Sequence, residues 1–115
     1  MITLEVSDRQ VDEVTVVDLS GQIVLGTASN ILRQALRDLL ERGQKKILLN
    51  MANVKYVDSS GLGALVGGLT VVESQQGQLK LVNLTPKVRD LLQITKTSSV
   101  FEVFEDEATA IISFS

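Results

Sequence analysis

A chain of 115 residues with 44% hydrophobic and 22% charged positions has the size and make-up of one packed, soluble domain, not of a disordered or fibrous segment. It contains no Cys, which excludes disulfides and thiolate metal sites and suits a reducing compartment, and no His, which excludes Ser-His-Asp and Cys-His catalysis. A formal net charge of −3 speaks against direct capture of nucleic acid through its phosphates, which requires clustered Lys and Arg.

Ile2 to Val6 alternates apolar and polar residues, and Val14 to Leu19 is mostly β-branched and apolar. This predicts two strands joined by a loop over Ser7 to Glu13, the second strand ending at Gly21. From Ala28 to Arg42 a helix would align Ile31, Leu32, Ala35, Leu36, Leu39 and Leu40 in one stripe, with Arg33, Arg37, Asp38 and Glu41 opposite as a solvated face. Gly43 is placed to stop it. Ile47 to Leu49 reads as a strand buried on both faces, Val54 to Val57 as extended, and Leu79 to Leu84 as another buried strand. A helix from Ser60 to Ser74 lies between them. Thr85 followed by Pro86 is an N-cap with proline at the first helical position, opening a short helix through Leu92. Val100 to Phe104 reads as an edge strand and Asp106 as the start of a last helix carrying Ala110, Ile111 and Ile112. The expected fold class is α/β: a single domain over residues 1–115, with a mixed sheet covered by about four helices.

No apolar run reaches the roughly 18 to 20 residues of a spanning helix, and Met1 to Asp8 lacks the pattern of a signal peptide. A cytoplasmic chain without membrane insertion is expected. Without His or Cys a zinc site would have to be built from carboxylates alone, so no metal is expected. No phosphate-binding G-x-x-x-x-G-K-[ST] motif occurs, and Gly61, Leu62, Gly63 fails as a dinucleotide fingerprint because Val66 stands where Gly or Ala is needed. The acids Glu105, Asp106 and Glu107 fall where a helix begins, a position the helix dipole favours. No catalytic residue and no cofactor are therefore assigned.

What remains is Asp58, Ser59, Ser60, Gly61, Leu62 and Gly63, a strand-to-helix loop of the kind that faces a crevice at the carboxyl ends of strands. Ser59 or Ser60 can cap the helix, and a cap and a modification site can coincide. At 100° per residue, Leu62, Leu65, Val66, Leu69 and Val72 face the core, leaving Gly63, Ala64, Gly67, Gly68, Thr70, Val71 and Ser74 on the remaining arc. No charge occurs between Asp58 and Glu73. Each interior Gly costs about 1 kcal/mol relative to Ala, so the glycines imply either close internal packing or a flat surface for a partner. The charged first helix looks solvated rather than packed on this face, which favours the docking surface.

Asp58 to Gly63 closely resembles the signature of bacterial anti-sigma factor antagonists, whose STAS fold is shared with the cytosolic domains of sulfate transporters. Leu19, Ser20, Gly21 resembles the family's strand end, Ile47 to Asn50 its central strand, and Leu79 to Pro86 its later strand and helix start. The resemblance implies a transcription regulator that works by partner switching. Ser59 would be phosphorylated by a partner that is both anti-sigma factor and serine kinase, with ATP belonging to that kinase. The unphosphorylated form would bind it and release a sigma factor, and a serine phosphatase would restore this form. Asp58, Ser59, Ser60, Gly61, Leu62, Gly63, Ala64, Gly67 and Thr27 are the implied partner-binding residues. The chain departs from the family where Gly21, Gln22, Ile23, Val24 replaces a run ending in Asp.

Two other readings stay open at this level. One is an accessory subunit of a membrane transport complex that docks through the serine loop without phosphorylation; the other is a small nucleotide-binding protein using the N–H groups of Gly61 to Gly63. Monomer and homodimer are both compatible with the uncharged glycine face.

Overall fold

Unbroken apolar runs occupy the middle of the sheet, and a strand rich in polar residues, Leu4–Val11, lies at one rim. The computed structural model describes residues 4–114, in the order β1 (Leu4–Val11), β2 (Val14–Ile23), α1 (Thr27–Glu41), β3 (Lys46–Val57), α2 (Ser59–Ser74), β4 (Gln78–Val82), α3 (Pro86–Ile94), β5 (Val103–Phe104) and α4 (Glu107–Ile112). The five strands stand side by side in chain order. β1 is antiparallel to β2, and the remaining neighbours are parallel. This is the mixed, helix-covered sheet that the alternation of elements predicts.

Both faces of the sheet are covered, which is why Ile47, Leu48 and Leu49 are all buried. On one face Val17, Leu19, Ile47, Leu49, Leu79 and Leu81 pack against α1, α2 and α3. On the other, Val14, Val16, Leu48 and Val82 pack against Ala110 and Phe114 around α4. Lys80 is buried on that second side: its Nζ donates to the carbonyl (2.9 Å) and hydroxyl (3.0 Å) of Ser113 and lies 4.7 Å from the centre of the Phe114 ring.

Helix boundaries follow local chemistry. Gly43, at φ +79°, lets Gln44 N–H reach Leu39 O and Gly43 N–H reach Leu40 O, closing α1 in a Schellman motif. Thr85 Oγ1 accepts from Val88 N at the start of α3, with Pro86 in the first turn. Asp106 caps α4 through Thr109 N at 2.8 Å. The N–H and then the hydroxyl of Thr109 hold the Asp106 carboxyl below its usual range.

Several boundaries differ from the sequence reading. Ser7 to Glu13 is not a loop: β1 continues to Val11, and only Asp12 and Glu13 turn, with Asp12 at φ +54°. A rim strand tolerates polar residues, so alternation alone missed it. The predicted beginning of this strand at Ile2 and Thr3 lies outside the described residues. Gly21 does not end β2; the register slips on either side of it and the strand runs on to Ile23. The two extended stretches before α2 join into one strand, β3. β4 stops at Val82, before Asn83 at φ +62°, and β5 is limited to Val103 and Phe104, with Val100 exposed.

The reading of α2 also needs revision. Ala64 and Gly68 are buried, whereas Val66 is only partly so. α1 lies alongside α2, and a Cβ on Gly68 would come within 2.5 Å of Leu36 Cδ1. The charged helix therefore covers part of the glycine face with its apolar stripe. Gly63 and Gly67 remain open, with nothing within 4 Å of a Cβ placed there.

Candidate functional site

β3 delivers Val57 into the core and then Asp58, in extended backbone, to the start of α2. Asp58 Oδ1 accepts from Gly61 N at 2.7 Å, and Oδ2 accepts from Leu25 N at 3.0 Å. Its own N–H donates to Ile23 O at 3.2 Å. One aspartate thus fastens the β2–α1 loop to the β3–α2 loop. The N–H groups of Gly61, then Leu25, hold its carboxyl below the usual carboxylate range.

Gly61 completes the junction. A Cβ there would lie 1.9 Å from the Ile23 carbonyl oxygen, so only glycine lets the two backbones approach this closely. In the first turn of α1, Ser29 is buried and donates to Val24 O through both N (3.2 Å) and Oγ (2.8 Å), shaping the turn that presents Leu25. Gly26 bridges Leu25 to α1 at φ +95°.

The cap is therefore Asp58, not Ser59 or Ser60 as the sequence suggested. Asp58 occupies the last extended position, from which a side-chain oxygen reaches the third residue on. Ser59 is released from that duty: it is the first residue of α2, exposed, and its hydroxyl has no hydrogen-bond partner among the described residues. Ser60 is half-buried. The Gly61 N–H is taken by the Asp58 side chain and the Leu62 N–H by the Asp58 carbonyl at 2.8 Å. Two of the three donors on which the nucleotide reading relied, the N–H groups of Gly61 and Leu62, are thus occupied by Asp58.

The predicted site residues divide by burial. Gly61, Leu62 and Ala64 are buried and serve packing, whereas Thr27, Ser59, Gly63 and Gly67 are exposed. Thr27 opens α1 and Ser59 opens α2, so both hydroxyl residues stand at helix starts beside the junction. Val24, where the family pattern has Asp, is partly buried against the core.

Two grooves flank Ser59 and Ser60. One, of about 410 Å³, is lined by Leu25, Asn30, Arg33, Ser60 and Gly63. The other, of about 450 Å³, is lined by Ser59 together with Tyr56, Asp58, Lys87 and Ile94. Leu25 is 75% exposed, Ile94 79% and Tyr56 43%. Lys87 Nζ stands 5.6 Å from the centre of the Tyr56 ring, an exposed cation–π contact of about 0.5 to 1 kcal/mol. Sequence reasoning missed Leu25, Tyr56, Lys87 and Ile94. Only Leu25, apolar and set just before Gly26 in a turn, carried a local signal; the others are brought together by the crossing of β3 and α3.

Comparison with known proteins gives a consistent result. The STAS domain family model matches residues 5–110. The anti-sigma-B factor antagonist of Bacillus subtilis is 31% identical over 102 residues, covering 89% of this chain and 92% of that protein. A crystal structure of a candidate anti-sigma factor antagonist from Thermotoga maritima superposes with a TM-score of 0.87 at 23% identity, over 95% of this chain and 93% of that one. The Bacillus cell fate determinant SpoIIAA in its phosphorylated form superposes with a TM-score of 0.72 at 23% identity, over 95% and 98% of the two chains. At these identities the structural matches speak for the fold.

Proposed function

The chain belongs to the STAS domain family, and from that premise we propose that it is an anti-sigma factor antagonist whose grip on its partner is set by phosphorylation of Ser59. The observation that carries this reading is the freedom of Ser59. Its neighbour Asp58 caps the helix, leaving the serine hydroxyl exposed beside a stretch with no charge before Glu73. The named relatives support the choice of an anti-sigma factor as partner.

In this reading the unmodified chain works in the cytoplasm and holds an anti-sigma factor that is also a serine kinase, through Ser59, Ser60, Gly63, Gly67, Thr27 and the exposed Leu25. Gly61, Leu62 and Ala64 contribute by fixing the backbone. The chain itself catalyses nothing. The kinase supplies ATP; a bond from Ser59 Oγ to the γ-phosphorus forms as the bond to ADP breaks, and the hydroxyl proton passes to a base of the kinase. A serine phosphatase hydrolyses the ester and regenerates the binding form.

The switch is electrostatic. Phosphate adds roughly 1.5 to 2 negative charges to a surface a partner must desolvate, next to an Asp58 carboxylate that cannot turn away. A penalty of about 2.7 kcal/mol weakens binding a hundredfold. Titration calorimetry against the anti-sigma factor kinase encoded by the same organism tests this. Ser59→Ala is expected to bind as tightly as the unmodified chain and Ser59→Asp at least tenfold more weakly. Equal affinity of all three would reject the charge mechanism.

A further inference from the structure

Lys87 is exposed and, among the described residues, forms no ion pair, even though Asp90 follows one turn later on α3. Its ammonium instead rests over the Tyr56 ring. Lys87 and Tyr56 line the groove that also holds Ser59 and Asp58. The charges on this groove are few. Asp58 comes from the β3–α2 junction, and Lys87 and Asp90 from α3, while α2 brings no charge before Glu73; Arg33 of α1 lines the other groove, beside Ser60.

We propose that Lys87 is the counter-ion of a phosphate carried on Ser59, its ammonium leaving the Tyr56 ring for the phosphate oxygens when the serine is modified. This deepens the switch reading above and rests on it. A dianion at Ser59 meets Asp58, whose two oxygens are tied to Gly61 and Leu25 and cannot retreat. Lys87 is the one cation lining that groove among the described residues, on a flexible stem with three donors. A charge-assisted contact to phosphate outcompetes an exposed ring as its resting place. Modification then changes two things at once: it adds charge at Ser59 and it uncovers the face of Tyr56, altering the wall of the groove against which a partner would rest.

Tyr56 is the only tyrosine and there is no tryptophan, so the chain carries its own reporter. The test uses chain with phosphoserine inserted at position 59 during translation, which requires no kinase. Failure of the switch reading is seen separately, as no gain of phosphate mass on incubation with the cognate kinase. By phosphorus NMR, the second ionisation of the phosphate is expected about 0.3 pH unit or more higher in Lys87→Gln than in the parent phosphoprotein. Lys87→Arg should restore the parent value, and high salt should shrink the gap. Tyr56 ring signals should shift on phosphorylation in the parent but not in Lys87→Gln. Identical phosphate titration in parent and Lys87→Gln, or Tyr56 signals indifferent to phosphorylation, would overturn the assignment.

Discussion

Asp58 and Gly61 fix the backbone that presents Ser59. Their roles separate cleanly by substitution. Gly61→Ala drives a methyl group into the Ile23 carbonyl, so a loss of about 3 kcal/mol or more is expected, read as a lower urea midpoint. Gly63→Ala meets open space inside a helix and should stabilise by about 0.5 to 1 kcal/mol; if it also weakens partner binding, that glycine is a contact. Asp58 adds a pH signature. Its folded pKa is depressed, so its contribution is complete above its ordinary value of 3.8 and is lost as pH falls through the folded value. The difference in urea midpoint between the parent and Asp58→Asn should be open at pH 6 and close under more acid conditions. A gap that does not narrow at all as the pH falls below 3.8 would assign the loss to shape rather than charge. At this scale the motif itself was readable: six residues located the loop and the serine. Which of them capped the helix was not, because Asp and Ser are both good caps and only the backbone conformation at residue 58 distinguishes them.

Among the elements, α1, α3 and α4 announced themselves through their periodic apolar residues, capping side chains and stop signals. β1 did not. Ser7, Asp8, Arg9 and Gln10 look like loop residues, yet they lie on a rim strand where polar side chains find partners: Arg9 reaches Asp18 of β2 at 2.8 Å and Glu107 of α4 at 2.9 Å. This arginine, by its hydrogen bonds first and its charge second, lowers the pKa of both acids. It clips the last helix to the first hairpin. With these side chains a third to nearly half exposed, the clip is worth no more than about 0.5 to 1 kcal/mol. Glu107→Gln should therefore leave the global unfolding midpoint almost unchanged while speeding amide hydrogen exchange in α4, the more so at low salt. Unaltered exchange in α4 would mean that Lys80 and Phe114 hold the helix unaided. The misreading of the glycine face has a similar origin: α1 is charged on one side and apolar on the other, and its outward charges said nothing about what Leu36 would cover.

For the molecule as a whole, the three larger helices and the serine junction lie together, while α4 closes the opposite face with a small cluster of its own. The junction sits at the carboxyl ends of β2 and β3, where adjacent loops can be laced to each other without disturbing the layers beneath. Among the described residues no helix is long and apolar enough to cross a membrane.

Because the strands stand in the order in which they occur along the chain, each one emerging from the ribosome finds its neighbour already synthesised, and no gap must be held open for a later arrival. Assembly can advance like a wall laid course by course, from the first hairpin outward. The seam between the two loops needs nothing beyond the start of α2, so it can be sealed before the later strands have joined the sheet.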